Sequence, residues 1–182
     1  MQKITAIIVA VAMLSGVFAI QFSSATTAPQ MTVVFGTPEA IDGSSDGGWS
    51  GVESIALDQV LWSPGEGFSA SAKVMYDSTY LYFLVDVTDP TVGTLEQETV
   101  GAADYWQRDT VQIYLDLGNE KTTGARDEND IRFDVNVRGA FFPHMIRATA
   151  FIDHAVEITE TGYTVECAVD PLPMTTVAIS PL

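Results

Sequence analysis

Trp106 lies in a polar stretch, between Asp104 and the run Gln107-Arg108-Asp109, and not inside an alternating apolar strand. A flat indole in such a setting suits sugar chemistry. Its ring packs on the C–H face of a pyranose, while amides and carboxylates around the rim bond the hydroxyls. Groups of that kind follow closely. Gln112 and Tyr114 alternate with apolar residues in TVQIYLD (110–116), and Arg132, Asp134 and Asn136 do so in IRFDVNVR (131–138). Period-two spacing puts all five on the outward faces of expected strands. On these residues alone, packing at a rim or in a core is an equally good role for Trp106.

Other chemistries have less material. Asp127, Glu128, Asn129 and Asp130 offer oxygen donors for a hard cation such as calcium, but the glycine and distal glutamate of an EF-hand loop are missing. A solvated acidic loop is the simpler reading. Glu53, Glu98, Glu157 and Glu166 could serve a hydrolase that works with two facing carboxylates, yet the sequence pairs no two of them. A haem would need axial ligands from Lys73, Met75, His144 or Met145. Lys73 and Met75 share a strand face, with no second ligand evident opposite them. One cysteine, Cys167, and two histidines, His144 and His154, exclude a disulfide framework and leave little for a histidine- or thiolate-based metal centre. No Ser-His-Asp arrangement, phosphate loop or nucleotide fingerprint appears.

The elements that must position these residues are strands. TYLYFLVDV (79–87) sets Leu81, Phe83, Val85 and Val87 against Tyr80, Tyr82, Leu84 and Asp86. In 110–116, Val111, Ile113 and Leu115 face in; in 131–138, Ile131, Phe133, Val135 and Val137 do. GYTVECAV (162–169) groups Tyr163, Val165, Cys167 and Val169. Turn formers separate them: DGSSDGG (42–48), SPGEG (63–67), TDPTVG (88–93) and the polar loop 117–130. Short alternating strands between such turns indicate an all-β chain, a two-layer antiparallel β-sandwich of jelly-roll or immunoglobulin-like type. The 182 residues suit one domain, placed at 31–175, with 176–182 as an irregular tail.

Residues 1–25 fit a different purpose. Lys3, the apolar run Ile4–Leu14 and small residues up to Ala25 have the plan of a secretory signal peptide. An uncleaved membrane anchor is the competing reading. Cleavage would remove one basic residue and no acid, taking the net charge from −16 to −17. So acidic a chain is repelled by nucleic acid and by anionic membrane. A secreted or periplasmic location is expected, with no membrane contact after cleavage.

Five segments occur in a telling order: AIDGSSDGGW (40–49), SAKVMYDSTYLYFLVDVTD (71–89), YWQRDTVQIYLD (105–116), DIRFDVNV (130–137) and GYTVECAV (162–169). Together they resemble carbohydrate-binding module family 9, over roughly 130 residues. The resemblance implies non-catalytic binding of xylan- or cellulose-type polysaccharide or oligosaccharide, in support of extracellular polysaccharide breakdown. It implies that Trp106 stacks on the sugar and that Gln112, where the family often has Glu, bonds hydroxyls. Asn136 fits a polar pair on the next strand, whereas Asp134 stands where an arginine is usual. Tyr114 and Arg132 are further candidates. Structural calcium, but no required cofactor, is also implied.

Two departures stand out. No tryptophan follows Trp106, so a second stacking ring is missing, and PLPMTTVAISPL (171–182) carries three prolines where the family continues with strands. The C-terminal part of the module is therefore expected to be lacking. Alternatives to sugar binding are an accessory recognition or assembly domain of a larger secreted or outer-membrane protein with a degenerate sugar site, and a haem-binding DOMON-like sandwich.

Overall fold

A computed structural model describes residues 5–11, 31–58, 66–91, 109–116, 130–143 and 152–170, of which 5–11 by backbone alone. Trp106, Asp127, Glu128, Glu98, His144, Met145 and the tail 171–182 lie outside the described residues.

The described residues form ten strands and one 3-10 turn. The strands are β1 (Thr5–Val11), β2 (Val34–Phe35), β3 (Ser54–Ala56), β4 (Ser69–Tyr76), β5 (Leu81–Thr88), β6 (Thr110–Asp116), β7 (Asp130–Asn136), β8 (Phe141–Pro143), β9 (Ile152–Ile158) and β10 (Gly162–Val169). One sheet runs β1-β6-β7-β8; the other runs β2-β4-β5-β10-β9, with β3 also on β4. Alternation drives the layering. Val74, Phe83, Val85, Val165 and Cys167 of the larger sheet meet Val111, Ile113, Leu115, Phe133 and Val135 of the smaller one in a single core. Nearly all of these side chains are wholly withdrawn from water, which supplies the main driving force for closing the sandwich.

The expected sandwich is therefore observed, with two refinements. The β1–β6 and β2–β4 pairings are parallel, not antiparallel. β9 was not expected from the sequence, because His154 interrupts the apolar set Ile152, Val156 and Ile158. Its imidazole nonetheless lies along the core, stacked on Phe141 at 5.1 Å with Nε2 3.1 Å from the Gly139 carbonyl.

β1 falls inside the segment read as a signal peptide. Its seven residues pair with the whole of β6.

Candidate functional site

Of the expected binding residues, Gln112, Tyr114, Arg132, Asp134 and Asn136 share the non-core face of β6 and β7, while Trp106 lies outside the described residues. Cross-strand register sets Gln112 opposite Asp134 and Tyr114 opposite Arg132. Gln112 Nε2 donates to Asp134 Oδ2 at 2.9 Å. Arg132 donates from Nε to Asp134 Oδ1 and from a terminal nitrogen to Oδ2, both at 3.3 Å. The Arg132 guanidinium also lies over the Tyr114 ring, 5.0 Å from its centroid, in cation–π geometry. The four side chains thus form one connected polar and aromatic group.

This face is less open than alternation alone implies. Gln112 is 5% exposed and Asp134 0%, so the strand face opposite the core is not a wet one. Buried polar groups must be bonded, and these bond each other. Asn136 lies on the same face, at the end of β7, with its oxygen turned to the chain. Its Oδ1 accepts from the backbone N–H groups of Arg138 and Ala140, at 3.0 and 2.8 Å, and so holds the turn into β8. Its amide nitrogen keeps the capacity to donate.

A second polar cluster lies on the far face of the larger sheet. The Glu166 carboxylate accepts from Trp49 Nε1 at 2.8 Å and from the backbone N–H groups of Asp42 and Gly43 at 2.9 and 3.0 Å. Thr164 Oγ1 donates to the Gly43 carbonyl. Asp46 caps the 3-10 turn Gly47–Trp49 by accepting from Gly48 N–H. Trp49 then packs with Met75, Tyr82, Leu84 and Ala168. Burial pushes the Glu166 carboxyl above the usual carboxylate range, against the pull of its three donors. Its oxygens face the 42–49 loop, which makes it an anchor for that loop.

The cluster also accounts for several of the residues that two rival chemistries would need. Lys73 Nζ donates to the Trp49 carbonyl at 3.2 Å and Met75 is packed beneath the indole, so neither is presented to a haem iron. Among the hydrolase candidates, Glu166 is sealed in, whereas Glu53 and Glu157 stand exposed. For a cation, Asp116 and Asp130 are register partners at the end of β6 and β7. Two carboxylates fall short of the roughly six to eight oxygens that calcium takes. Among the described residues no three His, Cys, Asp or Glu side chains are grouped to hold a metal.

Known proteins resemble this chain in fold and sequence. A family described as carbohydrate family 9 binding domain-like matches residues 41–181. The exoglucanase XynX of Acetivibrio thermocellus is 34% identical over 140 residues, which cover 76% of this chain and 12% of that protein. The endo-1,4-beta-xylanase A of Thermoanaerobacterium saccharolyticum is likewise 34% identical over 140 residues, with 76% and 11% covered. The chain therefore spans about an eighth of these relatives or less. Among solved structures, a carbohydrate binding module family 9 from Caldicellulosiruptor kristjanssonii in complex with cellotriose superposes with a TM-score of 0.62. It is 26% identical, with 76% of this chain and 65% of that chain covered. A second, in complex with glucose, superposes at 0.61 with 24% identity, covers 82% of this chain and 70% of that one, and supports the fold alone.

Proposed function

The chain belongs to the carbohydrate family 9 binding domain-like family, and from that membership we propose that it binds carbohydrate without catalysing its breakdown, at the polar face of β6 and β7. The observation that carries this reading is the connected group Gln112–Asp134–Arg132–Tyr114. It sets amide, carboxylate and guanidinium groups beside an aromatic ring, the combination that a sugar's hydroxyls and C–H face require. The cellotriose-bound relative supports a β-linked glucan as ligand, and the xylanase relatives support xylan as a second polymer to test.

Trp106 is proposed as the stacking ring, four residues before the start of β6. Gln112 and the amide nitrogen of Asn136 are proposed to bond hydroxyls. Asp134 has a different part: it neutralises Arg132 and orients Gln112. The pair cancels in charge and so matches a neutral sugar despite the acidity of the whole chain. The working location is proposed to be secreted or periplasmic, in support of polysaccharide breakdown by other polypeptides or domains. Structural calcium at Asp127, Glu128 and Asp130 is a separate proposal that binding does not need.

Calorimetric titration with cellotriose and with xylo-oligosaccharides tests the reading. The wild type should bind, and Trp106→Ala should lose at least about tenfold in affinity, or about 1.4 kcal/mol, while keeping its circular dichroism spectrum. Failure of the folded wild type to bind any plant glycan would overturn it. The same titration after chelation tests calcium, and the mass of the secreted protein tests cleavage after Ala25.

A further inference from the structure

His154 joins the two sheets beside the proposed sugar face. It lies on β9, at one end of the larger sheet, opposite Cys167 of β10. Its Nε2 is 3.1 Å from the carbonyl oxygen of Gly139, in the turn that leads β7 into β8 of the smaller sheet. A carbonyl can only accept, so Nε2 carries the proton and His154 donates. The half-buried ring is stacked on Phe141 at 5.1 Å, with 30° between the planes. Phe141 in turn meets Phe133 of the core at 5.7 Å. Stack and bond together fix the imidazole against the smaller sheet.

The turn that receives this bond is built around Asn136. The Asn136 N–H donates to the Ala140 carbonyl at 3.0 Å, and the Gly139 N–H donates to the Asn136 carbonyl at 2.8 Å. Asn136 Oδ1 accepts from the N–H groups of Arg138 and Ala140, as an Asx turn does. Gly139, at φ +75°, supplies the left-handed residue that lets the chain reverse so tightly. Two donors on Oδ1 set the plane of the amide and with it the direction of Nδ2. Asn136 is 2% exposed, and no described residue accepts from that nitrogen. A ligand hydroxyl would complete a buried amide donor of this kind.

We propose that His154 is a positioning residue for carbohydrate binding, which rests on the carbohydrate reading of the β6–β7 face. By holding the Gly139 carbonyl it fixes the turn Asn136–Ala140, and the turn aims Asn136 Nδ2 at a hydroxyl of a neutral sugar. His154 itself touches no sugar. Its two contacts have different parts. The stack on Phe141 contributes to stability, and the bond to Gly139 contributes to binding through the geometry of Asn136. Substitution can separate them, because a ring without a donor and a donor without a ring are both available.

The test compares His154→Phe, which keeps a ring over Phe141, with His154→Gln, which loses the ring but returns an N–H near the place of Nε2. Urea unfolding should rank His154→Phe above His154→Gln. Titration with cellotriose should rank them the other way: His154→Phe about fivefold weaker than wild type, His154→Gln within about twofold. Amide exchange at Arg138 and Ala140 should speed by about tenfold in His154→Phe and stay near wild type in His154→Gln. Imidazole nitrogen shifts of the wild type should place the proton on Nε2. Asn136→Asp keeps the Oδ1 acceptor without the amide donor, and should bind cellotriose about tenfold more weakly. Should that variant fail to fold, the two His154 variants decide alone. Binding by His154→Phe equal to that of a wild type that does bind overturns the positioning role and leaves the sugar reading standing. Affinities that follow the unfolding midpoints overturn it as well. No binding by the folded wild type sinks the sugar reading and the positioning role together.

Discussion

Trp49 Nε1 donates to Glu166 Oε1 at 2.8 Å, joining residues 117 positions apart that are both completely buried. This contact fastens the 40–49 loop across the larger sheet and closes the smaller cluster of Met75, Tyr82, Leu84 and Ala168. Four of the motif elements in the sequence thereby become one structural unit. The Ile-Asp-Gly entry, the tryptophan after it, the Tyr-Asp hairpin and the late glutamate all serve the loop and its packing. The proposed ligand face lies elsewhere, on β6 and β7.

Removing the glutamate should therefore cost stability. Glu166→Ala leaves Trp49 Nε1–H and the N–H groups of Asp42 and Gly43 without their acceptor. A loss of about 3 kcal/mol is expected, because three buried N–H donors are left unsatisfied at roughly 1 kcal/mol or more each. Trp49→Phe keeps most of the ring but removes one donor, so about 2 kcal/mol is expected. Urea unfolding checks both, through a lower midpoint at unchanged slope.

The same carboxyl gives a pH dependence whose sign is fixed. Burial raises the folded pKa of Glu166 above that of an ordinary glutamate. The native state then holds the proton more tightly than the unfolded chain. That stability is complete below the unfolded pKa and is lost as pH rises through the raised folded value. Unfolding midpoints of the wild type should fall relative to Glu166→Gln as pH increases from the unfolded value. Parallel curves for the two proteins would contradict this.

Asp77 should act in the opposite sense. Burial would raise its pKa, but the N–H groups of Tyr80 and Thr79 and the Tyr82 hydroxyl outweigh that and lower it below 3.8. Its contribution is present above the unfolded pKa and lost as pH falls through the folded one. Asp77→Asn should thus flatten the acid limb of the stability curve, the difference from wild type being present at neutral pH and fading as pH falls through the folded pKa of Asp77. The hairpin Tyr76–Leu81 is where amide exchange should register the change.

Gly43 tests the fit of the fastened loop. Its φ is +90°, a region that L side chains rarely adopt, and an added Cβ would lie 2.7 Å from the Glu157 nitrogen and 2.8 Å from the Val156 carbonyl carbon. Neither is a flexible side-chain end that could move aside. Gly43→Ala should destabilise by at least about 2 kcal/mol, combining left-handed strain with a backbone collision. Gly51, at φ +78° with open space around it, is the control: Gly51→Ala should suffer the strain alone.

Much of this was legible in the sequence, for identifiable reasons. β6 and β10 appear at the bounds that alternation gives, since Val111, Ile113 and Leu115, and likewise Val165 and Cys167, face one dry core. Alternation sets Glu166 opposite the apolar group of Tyr163, Val165, Cys167 and Val169 but does not say what it meets. Only long-range packing could decide it, because its partners Asp42, Gly43 and Trp49 lie more than a hundred residues away. β9 escaped notice because a histidine stands where its apolar set needs a hydrophobe, and stacking on Phe141 is what makes that tolerable. The face of β6 and β7 was read as outward from its polar residues. Alternation does distinguish the core face from the other one, but it does not reveal whether that other face is wet. Gln112 and Asp134 are buried there through the bond they make to each other.

That bond separates recognition from support at the proposed sugar site. Asp134 is fully buried and receives Gln112 at 2.9 Å and Arg132 at 3.3 Å, so Asp134→Ala leaves a buried amide and a largely buried guanidinium without their acceptor. It should cost about 3 kcal/mol of stability, at the lower end for a broken buried pair because Arg132 keeps some access to water. Gln112→Ala removes a side chain whose partner Asp134 retains Arg132, so its stability cost should be only about 1 kcal/mol. Affinity for cellotriose should show a different ranking. Gln112→Ala is expected to weaken binding about tenfold through loss of a hydroxyl partner, in a protein that remains folded. Tyr114→Phe keeps the ring beneath Arg132 and removes the hydroxyl that reaches Gln112 at 3.5 Å, so the cation–π contact should survive the change. A double-mutant cycle on Gln112 and Asp134, read by unfolding and by titration, would show coupling in stability of about 1 kcal/mol or more. Additive stability losses would instead mean that the two residues act independently and that Asp134 does not orient Gln112 toward a ligand.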